Sequence, residues 1–237
     1  MVIGVPPEQY RLKKAAKSSR SEGLSKAEQR ARMLDQLLDA AEYLFSKHGL
    51  YGVTLKDVSA RVGVHTSLPH YYFENKKSLF DAVVARRAPQ SCSTRLEAMD
   101  RYEAEAGDNI TVEGALRAFL DTDLDNYSKG GEGWRNYGVL GAQVSNTPEW
   151  GAEVMDRFFD PVVLRLIDLL KKALPDCPED RIFWGYHFTT GALMLTIGRT
   201  GRIDTLSNGL CKCEDFETIK DHMATFMAAG FMAICRK

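Results

Sequence analysis

Residues 54–76 read TLKDVSARVGVHTSLPHYYFENK. Thr54 is a good helix N-cap, and Asp57, three residues on, is its capping-box partner. Leu55, Val58 and Val62 then supply one apolar face. Gly63 breaks that helix. Val64 opens the next segment as a buried anchor, and a third helix is expected over roughly 66–72. Asn75 can cap a fourth helix that starts at Lys76 and carries Leu79, Phe80 and Val83 inward. Two short helices about a glycine turn, followed by an aromatic run, have the layout of a helix-turn-helix, whose second helix lies in the major groove of duplex DNA. That layout assigns a partner before any catalytic residue has to be considered.

The chemistry fits the layout. Ser59, Ala60 and Gly63 are small enough to let the two helices approach. Thr66, Ser67, His70, Tyr71 and Tyr72 give the second helix polar and aromatic side chains that can reach base edges and phosphates. Lys76 sits at a helix N-terminus, where backbone N–H groups also favour a phosphate.

The flanking sequence is helical as well. Leu34, Leu37, Leu38, Ala41, Leu44 and Phe45 share one face of a helix over roughly 27–48, which Lys47, His48 and Gly49 close. Further helices are expected near 92–106, 112–128, 133–145, 148–173, 179–200 and 214–235. The breaks between them fall at Gly107-Asp108-Asn109, Gly130-Gly131, Thr147-Pro148, Leu174 to Pro178 and Gly201–Cys213. Strand-like alternation is missing, so the fold class is all-α. Residues 1–26, with Pro6-Pro7, a serine-rich patch and Arg11, Lys13, Lys14, Lys17 and Arg20, read as a disordered basic arm. Such an arm either adds phosphate contacts or only solubilises the chain.

Charge is divided in the same sense. Net charge is −1 over 237 residues, yet residues 1–88 carry 15 Lys/Arg against 9 Asp/Glu and the remainder 16 against 23. A basic N-terminal third suits docking on a polyanion. The five cysteines (Cys92, Cys177, Cys211, Cys213, Cys235) have no four-ligand zinc spacing and read as reduced thiols of a cytoplasmic protein. The N-terminus lacks the apolar core of a secretory signal, and no window approaches the ~20 apolar residues of a membrane span.

Over roughly residues 30–86 the chain resembles the TetR/AcrR family of transcriptional regulators. The resemblance rests on Leu37-Leu38-Asp39-Ala40-Ala41, Leu44-Phe45, Gly49, Thr54, Asp57-Val58, Gly63-Val64, Tyr72-Phe73, Lys76 and Leu79, in the family's order and spacing. It implies base and phosphate contacts from Lys56, Thr66, Ser67, His70, Tyr71 and Lys76. Tyr72 and Phe73 divide between a backbone contact and packing. Val58, Val64, Phe73 and Leu79 belong to the core. Two positions depart from the pattern. His65 replaces a Ser-type cap, a duty Thr66 can share, and Pro69 replaces an apolar Leu. With a helix starting at Thr66, Pro69 is its fourth residue and removes about one hydrogen bond.

The resemblance also implies the organisation: a three-helix helix-turn-helix domain over 27–75 and a helical effector-binding and dimerisation domain over 76–237. The last two long helices would pair with a second subunit in a homodimer. Gly185, Gly191, Ala192, Ala224, Ala228, Ala229 and Gly230 give those helices small faces, which serve either that pairing or intrachain packing. Tyr102, Phe119, Tyr127, Trp134, Tyr137, Trp150 and Phe158 are candidates for lining a pocket for a hydrophobic or aromatic effector, although aromatics at helical spacing also build cores. The expected function is a ligand-responsive repressor on a palindromic double-stranded DNA operator. An activator, or a regulator acting through protein partners, is the alternative. No catalytic triad order, acid pair, phosphate loop or metal spacing is present, so neither an enzyme nor a cofactor is expected. His48, His65, His70, His187 and His222 are scattered, and His187 beside Phe188 reads as a packed core residue.

Overall fold

A computed structural model describes residues 25–147 and 154–236. The basic residues 11–20 and the Pro148-Glu149-Trp150 segment lie outside that range. The chain divides into two compact units between Arg86 and Arg87. All regular elements among the described residues are helices: α1 (Lys26–His48), α2 (Leu55–Val62), α3 (Leu68–Tyr72), α4 (Lys76–Ala106), α5 (Val112–Lys129), α6 (Glu132–Val144), a π turn (Met155–Phe159), α7 (Asp160–Ala173), α8 (Glu179–Ile197), α9 (Arg202–Leu206) and α10 (Phe216–Ile234).

In the first unit α1 packs on α2, and α2 on α3. Leu37, Leu44, Phe45, Val58, Leu79 and Phe80 are buried at its centre, with the Phe45 and Phe80 rings edge to face at 5.7 Å. Each such side chain contributes roughly 2 kcal/mol by leaving water. Arg86 ties the start of α4 to α1, with Nη1 2.7 Å from Asp39 and Nη2 2.7 Å from the buried carboxylate of Glu42. The second unit is built around α5, which packs against α6, α7 and α10. There α8 bridges α6, α7 and α10. Gly185 of α8 lies against Phe231 of α10 so closely that a Cβ would stand 2.3 Å from the ring.

Five sequence expectations change here. The helix expected near 92–106 is continuous with the one starting at Lys76. Pro89 lies inside α4, but it and Ala85 are on the exposed face, where water can satisfy the carbonyl left without a donor. The helix expected over 148–173 is described only from Val154 and opens with the π turn. Pro161 follows that turn in the first positions of α7, where its missing N–H costs no helical bond. The stretch expected to be irregular after Gly201 contains α9. His187 is exposed rather than packed: α8 is apolar almost all round, so periodicity gave no inward side. Finally, Cys177 and Cys235 form a disulfide, with Cα atoms 4.9 Å apart across 58 residues of sequence. Spacing alone does not show that the residue before α8 meets the end of α10. Cys92, Cys211 and Cys213 are free thiols.

Candidate functional site

The helix-turn-helix segment is held at both ends. The Thr54 hydroxyl accepts from the Asp57 N–H at 3.3 Å, while Asp57 accepts from the Thr54 N–H at 2.8 Å, closing the capping box of α2. Gly63 ends α2 at φ 81°, a left-handed conformation that suits glycine, and the N–H groups of Gly63 and Val64 both donate to the Ser59 carbonyl. Val64 is half-buried rather than a core anchor. Asn75 and Ser78 exchange side-chain and backbone hydrogen bonds at 2.9 and 3.1 Å and so start α4 at Lys76.

The third helix begins at Leu68, two residues later than expected. Ser67 occupies the N-cap position without a side-chain cap bond, because its hydroxyl pairs with His65 Nδ1 at 2.7 Å across a turn. Pro69 is therefore the second helical residue, not the fourth. At that position its missing N–H has no helical acceptor to lose, so the substitution costs no hydrogen bond. Pro69 is also buried, which fills the role of the apolar residue it replaces.

The structure places the sequence-derived DNA candidates on one short stretch and its neighbours. Thr66, Ser67, His70 and Tyr71 are exposed on or just before α3, while Pro69 and Phe73 of the same stretch are buried. Lys56 is exposed in the first turn of α2, and half-buried Lys76 opens α4 with its Nζ 5.7 Å from the Tyr51 ring centroid. Residues missed from sequence are Arg30, Arg61 and Tyr51. The Arg30 guanidinium lies over the Tyr71 and Tyr72 rings, and Arg61 lies 3.6 Å from the Tyr43 ring centroid. No local pattern encodes such cation–ring pairs between separate helices.

The effector candidates of the second unit separate by position. Phe119 and Tyr127 of α5 and Trp134 and Tyr137 of α6 are buried. Around them lies a polar cluster invisible in sequence. Arg95 Nη1 stands 3.1 Å from Asp123 Oδ2, the Ser91 hydroxyl donates to Asp123 at 2.7 Å, and the Tyr127 hydroxyl donates to it at 3.3 Å. The Tyr137 hydroxyl is buried with no hydrogen-bond partner among the described residues. Burial, with Asp123 adding to it, pushes its ionisation well above the ordinary tyrosine range, so it stays an O–H donor. Tyr102 stands apart, its hydroxyl accepting from the Thr111 N–H at 2.8 Å ahead of α5. Phe158 is half-buried, and its carbonyl accepts from the Cys92 thiol at 3.1 Å. A depression of about 410 Å³ near α8 is lined by Asn146, His187, Met194 and Leu195, and by none of these aromatics. No group of His, Cys, Asp and Glu among the described residues could hold a metal ion. No described helix is long and apolar enough to cross a membrane.

The family model for bacterial regulatory proteins of the tetR family matches residues 37–83, and that for the tetracyclin repressor-like C-terminal domain matches 117–230. Between them they cover more than half of the chain. The chain belongs to the TetR family. As a TetR-family member it is a transcriptional regulator and not an enzyme.

Among curated TetR-family relatives, the negative regulator IcaR of the biofilm operon icaADBC in Staphylococcus epidermidis is 26% identical over 117 residues, which is 49% of this chain and 56% of that one. IcaR of Staphylococcus aureus strain Newman is 36% identical over 52 residues, 22% of this chain and 28% of that one. The chain thus spans about half the length, or less, of these curated relatives. Among solved structures, an alanine-substituted HlyIIR mutant superposes with a TM-score of 0.57 at 15% identity, covering 91% of this chain and 100% of that one. A TetR-like regulator from Rhodococcus sp. RHA1 superposes with a TM-score of 0.56 at 20% identity, covering 88% and 100%. At these identities the likeness shows the fold alone.

Proposed function

We propose that this regulator is a repressor: a cytoplasmic homodimer that holds a two-half-site operator and releases it when a small apolar or aromatic molecule binds its second unit. The observation that carries the reading is the exposed row Thr66, Ser67, His70 and Tyr71 beside buried Pro69 and Phe73. Those exposed side chains are outside the hydrophobic core, and Lys56 and Lys76 stand on adjoining elements for phosphates. On this reading residues 1–26 add phosphate contacts, 27–75 read the operator and 76–237 sense the effector and dimerise. IcaR, named a negative regulator, supports repression.

Support for a second copy comes from α8 and α10. Phe183, Trp184, Phe188, Leu195, Phe226 and Met232 are large apolar side chains left exposed on these two helices. An apolar surface of this kind marks an interaction site, and a two-fold pairing would bury the same face on both copies. Gly191, Ala229 and Gly230 are also exposed, while Gly185, Ala224 and Ala228 are spent on intrachain packing. For the effector, Phe119, Tyr127, Trp134 and Tyr137 supply apolar side chains and one buried hydroxyl with no partner among the described residues. The effector must favour the non-DNA state, since a ligand with equal affinity for both states shifts nothing. In a reducing cytoplasm Cys177 and Cys235 would stand as two adjacent thiols.

The test is a mobility-shift titration over a salt series, using a duplex that the protein enriches from a random-sequence pool. Specific binding that weakens steeply with salt is expected. Lys76→Ala, with unchanged circular dichroism, should weaken binding to all sequences and reduce the salt slope by about 1. A protein that retains no duplex at any salt overturns the reading. Native mass spectrometry of the purified protein reports the dimer and any small molecule it carries.

A further inference from the structure

We infer that Arg30 of α1 is a positioning residue for the reading helix, holding the Tyr71–Tyr72 pair in the arrangement that discriminates between DNA sequences. The inference rests on the DNA-reading assignment above. The Arg30 guanidinium carbon lies 5.1 Å from the Tyr71 ring centroid and 5.9 Å from that of Tyr72. The two rings meet edge to face at 5.2 Å and 85°. One planar cation therefore faces both rings, which a lysine ammonium, a compact point charge, does not reproduce.

The arrangement matters because little else restrains Tyr71. Tyr71 is 65% exposed. The rings line an open groove of about 830 Å³ together with Lys26, Arg30 and Leu34 of α1. The small side chains of Ala27, Ala31 and Ala82 on the same groove leave the tyrosine rings room to swing. The body of α1 is fixed, since Leu37, Leu44 and Phe45 are fully buried and Arg86 bonds to Asp39 and Glu42. Arg30 thus couples exposed rings on the reader to a helix anchored in the core. A ring held in one rotamer presents its hydroxyl at one place on the groove edge, whereas a free ring samples several and discriminates less.

The test compares wild type, Arg30→Gln and Arg30→Lys on the duplex enriched by the wild-type protein and on a scrambled duplex of equal length. Losing a cation–ring contact of this kind should lower the ratio of the two affinities about 5-fold in Arg30→Gln. The salt slope should stay unchanged, because a positioning residue neutralises no phosphate. Arg30→Lys should also lower the ratio, and in a Tyr71→Leu background Arg30→Gln should add nothing. In the free protein, the Tyr71 ring resonances of 13C-tyrosine-labelled samples should move in both Arg30 variants. A wild-type ratio in Arg30→Gln, a salt slope smaller by about 1, or full rescue by Arg30→Lys overturns the inference and leaves the DNA assignment standing. A pool that yields no enriched duplex overturns the DNA assignment and the inference together.

Discussion

Replacing Arg95 by Met tests the buried polar cluster of the second unit. Arg95 and Asp123 are 5% and 2% exposed and 3.1 Å apart. The guanidinium also lies 3.8 Å over the Phe119 ring, and its Nε donates to the Phe119 carbonyl at 3.1 Å. Met keeps the apolar stem and removes the charge. Among the described residues, Asp123 then retains the Ser91 and Tyr127 hydroxyls as donors. Leaving one partner of a buried ion pair uncompensated costs about 3–5 kcal/mol. For a unit of this size that lowers the melting temperature by about 10 °C. Tryptophan fluorescence in a urea titration is the assay, since Trp134, Trp150 and Trp184 all follow Arg87 and report this unit alone. The double variant Arg95→Met with Asp123→Asn removes both charges, leaving an amide oxygen to accept from one hydroxyl and an N–H that the other hydroxyl can accept. It should recover at least about 2 kcal/mol of the loss. A single variant costing under about 1 kcal/mol, or a double variant no more stable than the single, would refute an uncompensated buried charge as the mechanism.

The buried Tyr137 hydroxyl has no partner among the described residues, so Tyr137→Phe should raise stability by about 1 kcal/mol, read as a higher urea midpoint. Tyr127→Phe, the same chemical change, should lower it by about 1–2 kcal/mol, because Asp123 loses a donor. Burial, assisted by Asp123 and opposed by Arg95, pushes the Cys92 thiol up to about 11. The reactive thiolate of Cys92 is therefore scarce until the pH approaches that value, so iodoacetamide at pH 8.5 should label exposed Cys211 and spare Cys92 in the folded protein. Peptide mass spectrometry resolves the two sites, and labelling of Cys92 without denaturant would contradict its burial.

Elements whose signals are local were legible in the sequence. The capping residues Thr54, Asp57 and Asn75, the stop at Gly63 and the inward faces of α1 and α2 all act within about four residues of chain, and the structure contains each of them. The start of α3 was misjudged because His65 and Ser67 bond to each other, a side-chain competition that propensity does not register. Tertiary features were illegible for a different reason. The Arg95–Asp123 pair joins residues 28 apart, the disulfide joins residues 58 apart, and the outward face of α8 depends on which side the other helices already cover. The aromatic candidates show the limit well. Composition alone gave Tyr102 and Tyr137 the same standing, yet one hydroxyl accepts from the Thr111 N–H and the other is buried in the core with no partner among the described residues.

The position of Pro69 bears on how such a reader changes its target. As a buried second residue of α3 it anchors the helix through shape and uses no backbone donor there. Its exposed neighbours Thr66 and His70 carry none of that anchoring. New side chains at those two positions can therefore be sampled with little penalty to folding, since surface substitutions usually shift stability by under about 0.5 kcal/mol. On the proposed DNA reading, retargeting by mutation is cheap at the outward positions and closed at Pro69, which would make the tolerated set of substitutions a map of the reading face.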